Sequence, residues 1–199
     1  MGCLSYIENS MNDEKQLIQS VLEGDKRAFS GLIDRYKRLV SHIVYKIVKA
    51  EEDRQDIAQD VFVKVYQNLS SFKGDCKLSS WIGRIAYNTS LNHIGKKRDE
   101  LWDDLSPEMS LDEIISDGIT PEELAERNET SEWIRREIDR LPAPFNVIIT
   151  LYHLYELTYN EIAEITGMPD GTVKSYLFRA RKKLKALLEK KTEVEDWLS

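Results

Sequence analysis

Eight lysines and arginines against a single carboxylate, Glu189, fill residues 174–191 of a chain whose formal net charge is −7. A second basic stretch, 76–98, holds Lys77, Arg84, Lys96, Lys97 and Arg98 and no carboxylate at all. Between the two the sign reverses, and eleven carboxylates face one cation, Arg127, across 99–128. The chemistry such segments offer is the binding of a polyanion, because clustered cations gain by displacing the counterions of a phosphate backbone. Solvated helix faces carry charge runs too, so these stretches are a necessary footprint of nucleic-acid binding and not a sufficient one. Covalent chemistry has no foothold. His42, His93 and His153 are far apart in sequence, Cys3 and Cys76 lack metal-ligand spacing, and the chain has neither a Walker phosphate loop nor a GxSxG elbow. The expectation is a binding protein with no catalytic residue, no cofactor and no metal.

Helices must position these groups. Ala28, Phe29, Leu32, Ile33, Tyr36, Leu39, Val40, Ile43, Val44, Ile47 and Val48 recur at spacings of three and four, the stripe of a long amphipathic helix that Asp25 can cap. Leu17, Ile18, Val21 and Leu22 predict a shorter helix before it, ended by Gly24. Ile57, Ala58, Val61, Phe62, Val65 and Leu69 predict a third, and Trp81, Ile82, Ile85, Ala86, Thr89 and Ile94 a fourth that begins near Ser79 and Ser80. Four such helices close one core, so residues 11–98 read as an all-helical domain. The acidic stretch 99–128, with Pro107, Gly118 and Pro121, reads as a linker with one short helix from Thr120 and Pro121. A second helical domain, 129–191, then draws its core from Trp133, Ile134, Ile138, Leu141, Val147, Ile148, Leu151 and Leu154, with Pro142 and Pro144 breaking the chain. No segment alternates as a strand does, so the fold class is all-α.

Within the second domain, Thr158 and Glu161 fit a capping box at a helix start, and Gly167 supplies a tight turn. Ile162 and Ile165 face inward, and Ala163 is small enough for a second helix to cross over it. Asp170 or Thr172 can cap that second helix, which buries Val173, Leu177, Ala180 and Leu184. Lys174, Ser175, Tyr176, Phe178, Arg179, Lys182 and Lys183 are left for solvent. Two helices joined by a glycine turn, the second with a polar and basic face, form the helix-turn-helix that fits a major groove.

Two cysteines are too few for a secreted disulfide framework and suit a reducing cytosol, so the expected location is cytoplasmic. No apolar run reaches the ~18 to 20 residues a membrane span needs, and the N-terminus lacks the basic-then-apolar order of a signal peptide. The opening MGCLSY puts Tyr6 where acylation at Gly2 wants Ser or Thr, which argues against lipidation. Residues 1–10 read as a dispensable leader, and the end after Lys191, with Trp197, as a fraying tail.

GMPDGTVKSYLFRARKKLKALL resembles the promoter-reading helix of bacterial sigma factors of the compact extracytoplasmic-function (ECF) class. DIAQDVFVKVYQNLSSF followed by WIGRIAYNTSLNHIGKKR resembles the first domain of the same family, and the two matches cover most of residues 13–190 in order. The resemblance implies that core RNA polymerase and promoter DNA are partners, and that an anti-sigma factor can be one. It also implies roles for named residues. Asp56, Gln59, Asp60 and Lys64 would dock on the polymerase, opposite the core face of Ile57, Val61 and Val65.

Capture of the minus-ten strand as it melts would fall to Phe72, Lys73, Arg84, Asn88, Asn92, Lys96, Lys97 and Arg98, because unstacked bases need amides for their edges and cations for their backbone. Trp81 reads as a core aromatic. Minus-thirty-five duplex would meet Thr172, Lys174, Ser175, Tyr176, Phe178, Arg179, Lys182 and Lys183, with an Arg able to reach guanine and Phe178 a thymine methyl. Arg181 and Lys185 would join Lys182 and Lys183 on phosphates. Tyr176 departs from the family, which usually shows Arg there. Asp103, Asp104, Asp112 and Glu113 would face basic polymerase channel walls or simply solubilise the linker. The competing reading is a free-standing helix-turn-helix regulator that binds a palindromic duplex as a dimer, and a third is a helical interaction protein with a vestigial motif.

Overall fold

Asp25 starts the longest helix of the first half by accepting hydrogen bonds from the Arg27 and Ala28 backbone N–H groups at 2.7 and 3.3 Å. In a computed structural model, which describes the backbone of residues 3–95 and 128–198 and the side chains of 13–95 and 133–188, this helix is α2 (Lys26–Ile47). It follows α1 (Cys3–Leu22) and precedes α3 (Glu51–Asn68), a 3₁₀ turn (Leu69–Ser71) and α4 (Leu78–His93). The second half holds α5 (Asn128–Asp139), α6 (Ala143–Leu154), α7 (Tyr159–Thr166) and α8 (Asp170–Leu198). Among the described residues there is no strand, as the periodicity predicts. None of their helices is long and apolar enough to cross a membrane, and no three or more of their His, Cys, Asp and Glu side chains cluster as a metal site would need.

Several boundaries differ from expectation. The first helix begins at Cys3, so residues 3–10, expected to be a dispensable leader, are backbone helix continuous with α1. The fourth begins at Leu78, and Ser80 is fully buried within it. The expectations for Gly2, for Lys96, Lys97 and Arg98, for the acidic stretch with Asp103, Asp104, Asp112, Glu113 and the helix at Thr120, and for the Trp197 side chain lie outside the described residues.

The stripe of α2 lies at the centre of the first unit. Leu32, Val40, Ile43 and Val44 are sealed against Val61 and Val65 of α3 and Leu78, Ile82 and Ala86 of α4. In the second unit Phe145, Ile148 and Leu151 of α6 pack with Ile162 and Ile165 of α7 and Val173, Leu177 and Ala180 of α8. The two groups belong to one hydrophobic cluster, because α7 packs between α8 and α4 and α6 also touches α2. Lys77 pairs with Glu161 across this junction at 2.6 Å. His42 and Tyr155 share a hydrogen bond across it, and Lys46 pairs with Asp139.

Candidate nucleic-acid interface

Asn88 and Asn92 stand one turn apart on the exposed side of α4 and border an open cleft of about 340 Å³ against α3. Asn68 and Ser71, at the end of α3 and in the turn after it, close one end. Asn68 Nδ2 donates to the Lys64 carbonyl at 2.8 Å, and the Ser71 hydroxyl donates to the Asn68 carbonyl at 2.7 Å, so the rim is fixed by its own backbone. Trp81 and Ile85 form the apolar wall. Phe72 buttresses the Trp81 ring, with centroids 5.5 Å apart. A cleft with amides and hydroxyls around an indole suits a flat, unstacked base, which offers a π-face and a polar edge together.

Two expectations change here. Lys64 was expected on the polymerase side of α3, yet its ammonium turns toward α4 and donates to Thr89 Oγ1 at 3.2 Å, inside the cleft. The reason is rotational, since Lys64 sits at the edge of the exposed arc nearest α4. Trp81, read as a core aromatic, does pack against the hydrophobic cluster, but it is only half-buried and its remaining surface lines the same cleft. Arg84 lies exposed one turn before Asn88, with its guanidinium 3.9 Å from Cys76 Sγ. Lys73 is exposed in the loop after Phe72.

Asp56, Gln59 and Asp60 are all exposed on α3. The structure adds two residues to their side that the sequence reading passed over: Val63 and Tyr66 are 52% and 51% exposed. Both stand off the Ile57, Val61, Val65 stripe, which is the signal that could have found them. The edge of the Tyr66 ring meets Phe29 at 4.9 Å between centroids, so it is held rather than free to swing.

In the second unit the capping box forms. The Glu161 N–H donates to Thr158 Oγ1 at 3.3 Å, and the Thr158 N–H donates back to Glu161 Oε2 at 2.8 Å. Burial pushes the Glu161 carboxyl up, but hydrogen bonds from Lys77 and Thr158 outweigh it and hold the group below its ordinary value. Gly167 ends α7 at φ 71°, a left-handed conformation that glycine adopts freely. Neither Asp170 nor Thr172 caps α8 by side chain as expected. The helix already includes Asp170, and the Pro169 carbonyl accepts the Thr172 and Val173 N–H groups at 2.9 and 3.1 Å.

Lys174 and Lys182 are exposed on α8, while Thr172, Ser175, Phe178 and Arg179 are half-buried. Tyr176 is 7% exposed and packs its ring 5.5 Å from Phe145, so the expectation that it faces DNA is overturned. It stands three residues after Val173 and four before Ala180, which is core spacing. Lys183 is also on that flank and lays its ammonium 5.7 Å from the Phe145 centroid. The opposite flank carries two stacked rings, Tyr152 and Tyr159, 5.3 Å apart. Lys174 lies over Tyr159 at 5.5 Å and Arg181 over Tyr152 at 5.2 Å. Arg181 also donates to His153 Nε2 at 3.3 Å. Burial, and then the neighbouring Arg181 charge, lower the His153 pKa to about 4.

Comparison with known proteins gives both halves of the chain a family. Residues 32–100 match the family described as Sigma-70 region 2, and 131–184 match Sigma-70, region 4. The chain is 33% identical to the ECF RNA polymerase sigma factor SigW of Bacillus subtilis (strain 168), over 87% of this chain and 96% of that protein. It is 34% identical to the ECF RNA polymerase sigma-E factor of Escherichia coli (strain K12), over 84% and 90%. Its fold is similar to CnrH, solved in complex with the cytosolic domain of CnrY, with TM-score 0.60 at 22% identity over 87% of this chain and 95% of CnrH. It is similar also to the sigma factor RpoE of Bartonella quintana, solved in complex with the anti-sigma factor NepR, with TM-score 0.58 at 22% identity over 81% and 96%. With a base-sized cleft on a region 2 unit, a capped helix-turn-helix on a region 4 unit, and this identity along nearly the whole of its relatives, the chain belongs to the ECF family of RNA polymerase sigma factors.

Proposed function

We propose that this sigma factor divides promoter recognition between its two units. The α3–α4 cleft takes an unstacked base of the minus-ten strand, with Asn88, Asn92 and Lys64 addressing its edge and Phe72, Lys73 and Arg84 its surroundings. Lys96, Lys97 and Arg98 follow α4 in sequence and extend the same cationic segment along the strand. The exposed face of α8 reads the minus-thirty-five duplex through Lys174, Ser175, Phe178 and Arg179, with Thr172, Lys182 and Lys183 on phosphates. Asp56, Gln59 and Asp60 ring Val63 and Tyr66 on the outer face of α3 and dock on core polymerase. A polar rim around apolar anchors is the composition protein interfaces favour. An anti-sigma factor, of the kind the solved relative RpoE binds, would compete for one of these faces.

The observation that carries this reading is the cleft, whose amides, hydroxyls and cation surround one aromatic wall. Duplex recognition alone would need no such site. Run-off transcription with sigma-free core polymerase and a genomic DNA library tests the proposal. New transcripts downstream of one shared two-part motif are expected, and Asn88→Ala with Asn92→Ala should cost transcripts while leaving minus-thirty-five duplex binding unchanged. Specific retention of palindromic duplexes by the protein alone, with an active core polymerase gaining nothing, would favour the dimeric regulator.

A further inference from the structure

Tyr152 near the end of α6 and Tyr159 at the start of α7 stack their rings 15° from parallel, with centroids 5.3 Å apart. Both are half-buried, so the stack forms a ledge at the surface of the second unit. Each ring carries one cation of α8. The Lys174 ammonium is 5.5 Å from the Tyr159 centroid, and the Arg181 guanidinium is 5.2 Å from that of Tyr152. Arg181 has a second hold, because its Nε and Nη2 lie 3.3 and 3.2 Å from His153 Nε2. That nitrogen accepts only in a neutral imidazole with its proton on Nδ1, and burial together with the Arg181 charge keeps His153 neutral.

Lys174 and Arg181 are seven residues apart, which is two turns and about 10.5 Å along α8, so they share a face. Phe178 stands between them on it, at spacings of four and three. Both cations stay exposed despite their contacts. Each ring therefore sets the direction of its cation and leaves the charge open to DNA. A loose lysine or arginine gives up much rotamer freedom when a duplex immobilises it, and one already held gives up less. The ledge moves that ordering cost from binding to folding.

Resting on the minus-thirty-five reading above, we infer that Tyr152, Tyr159 and His153 are positioning residues, a ledge that holds Arg181 ready for a phosphate and Lys174 ready for a base edge. None of the three touches DNA in this role. They act through the two cations, and so their contribution exists only while those cations are present.

Fluorescence anisotropy of the full chain, on a duplex carrying the minus-thirty-five half of the motif recovered by run-off transcription, tests this. Tyr152→Leu and Tyr159→Leu keep apolar bulk and remove a π-face. Each should weaken binding by about two- to tenfold, the cost of ordering one long side chain, and Tyr152→Phe and Tyr159→Phe should bind as wild type does. The loss from Tyr152→Leu should vanish when Arg181 is already alanine, and that from Tyr159→Leu when Lys174 is. Both losses should stay whole in a Lys182→Ala background, since Lys182 stands about 100° round the helix from Arg181. Losses that persist in full without the cations would assign the rings to packing alone and overturn the proposal, as would tighter binding by either leucine variant. Circular dichroism melting checks each fold, and if Tyr152→Leu does not fold, the Tyr159 and Lys174 cycle decides. In ¹⁵N NMR of the free chain the Arg181 Nε–H should be ordered in wild type and mobile in Tyr152→Leu, and a mobile wild-type signal would also overturn the ledge. A wild type with no preference for the motif over a scrambled duplex would sink the minus-thirty-five reading and the DNA role with it, while an ordered Nε–H would still show that the stack holds its cation.

Discussion

Tyr176 marks the difference between a residue on a recognition helix and a residue that recognises. Its ring is packed on Phe145 and its phenol is pushed above its ordinary pKa by burial, with nearby Arg179 opposing. Tyr176→Ala should lower the unfolding free energy by about 3 kcal/mol, the usual cost of emptying an aromatic site in a core. Tyr176→Phe should leave the minus-thirty-five preference unchanged in a promoter library, and a changed base preference would return Tyr176 to the DNA face. His153 gives a pH signature. Its folded pKa of about 4 lies below the 6.5 of the unfolded chain, so between those values the unfolded state binds more protons. Stability should therefore fall as pH drops from about 6.5 toward 4, and His153→Gln should flatten part of that slope in urea titrations. His42, lowered by burial and then by Lys46, Arg38 and Arg135, contributes with the same sign and keeps the variant's slope above zero. A slope identical in the variant would show that burial, with Arg181 beside it, does not hold His153 neutral.

At the scale of elements, α7 is only eight residues long and owes its register to its ends. Thr158 and Glu161 satisfy each other's backbone N–H groups at the start, and Gly167 turns the chain at the finish by donating its N–H to the Ala163 carbonyl at 2.7 Å. Thr158→Ala should cost about 1 kcal/mol of stability in the second unit, the usual value of a lost N-cap. Chemical denaturation monitored at a probe in α8 measures it, and no shift there would mean that packing against α4 alone fixes the helix. Helix α3 shows the opposite arrangement, with three faces and three tasks. Ile57, Val61 and Val65 fill the core, Lys64 turns into the cleft, and Val63 with Tyr66 stays exposed among acids and amides. About 100° of rotation, the step of one residue from Val63 to Lys64, separates the face proposed for docking from the cleft.

On the scale of the whole molecule, a net charge of −7 and two basic stretches are reconciled by separation. The cations stand on the two faces proposed to read DNA, and long-range repulsion from the acidic remainder is screened beyond about 8 Å at physiological salt. Affinity for duplex should therefore keep a steep salt dependence despite the acidic total. Lys182, exposed and unstacked beside Arg181 and Lys183, should carry one phosphate. Lys182→Ala should make the log–log salt slope for a minus-thirty-five duplex shallower by about 0.9, as expected for one lost counterion-releasing contact. An unchanged slope in fluorescence anisotropy would remove Lys182 from the interface.

The all-helical class, the Asp25 cap, the Thr158–Glu161 box, the Gly167 turn and the sidedness of α8 were legible in residue order, because each depends on neighbours within about four positions along one helix. The acidic and basic blocks were legible because charge is a property of composition alone. Which way Lys64 points, whether Tyr176 is buried, and that Trp81 walls a cleft depended on helices distant in sequence. At the edge of an exposed arc, an approaching neighbour decides between solvent and contact. Gly83 is the clearest case: along the sequence it is a glycine that weakens a helix, and only the arrival of Ile165 from a helix some eighty residues away makes it a notch.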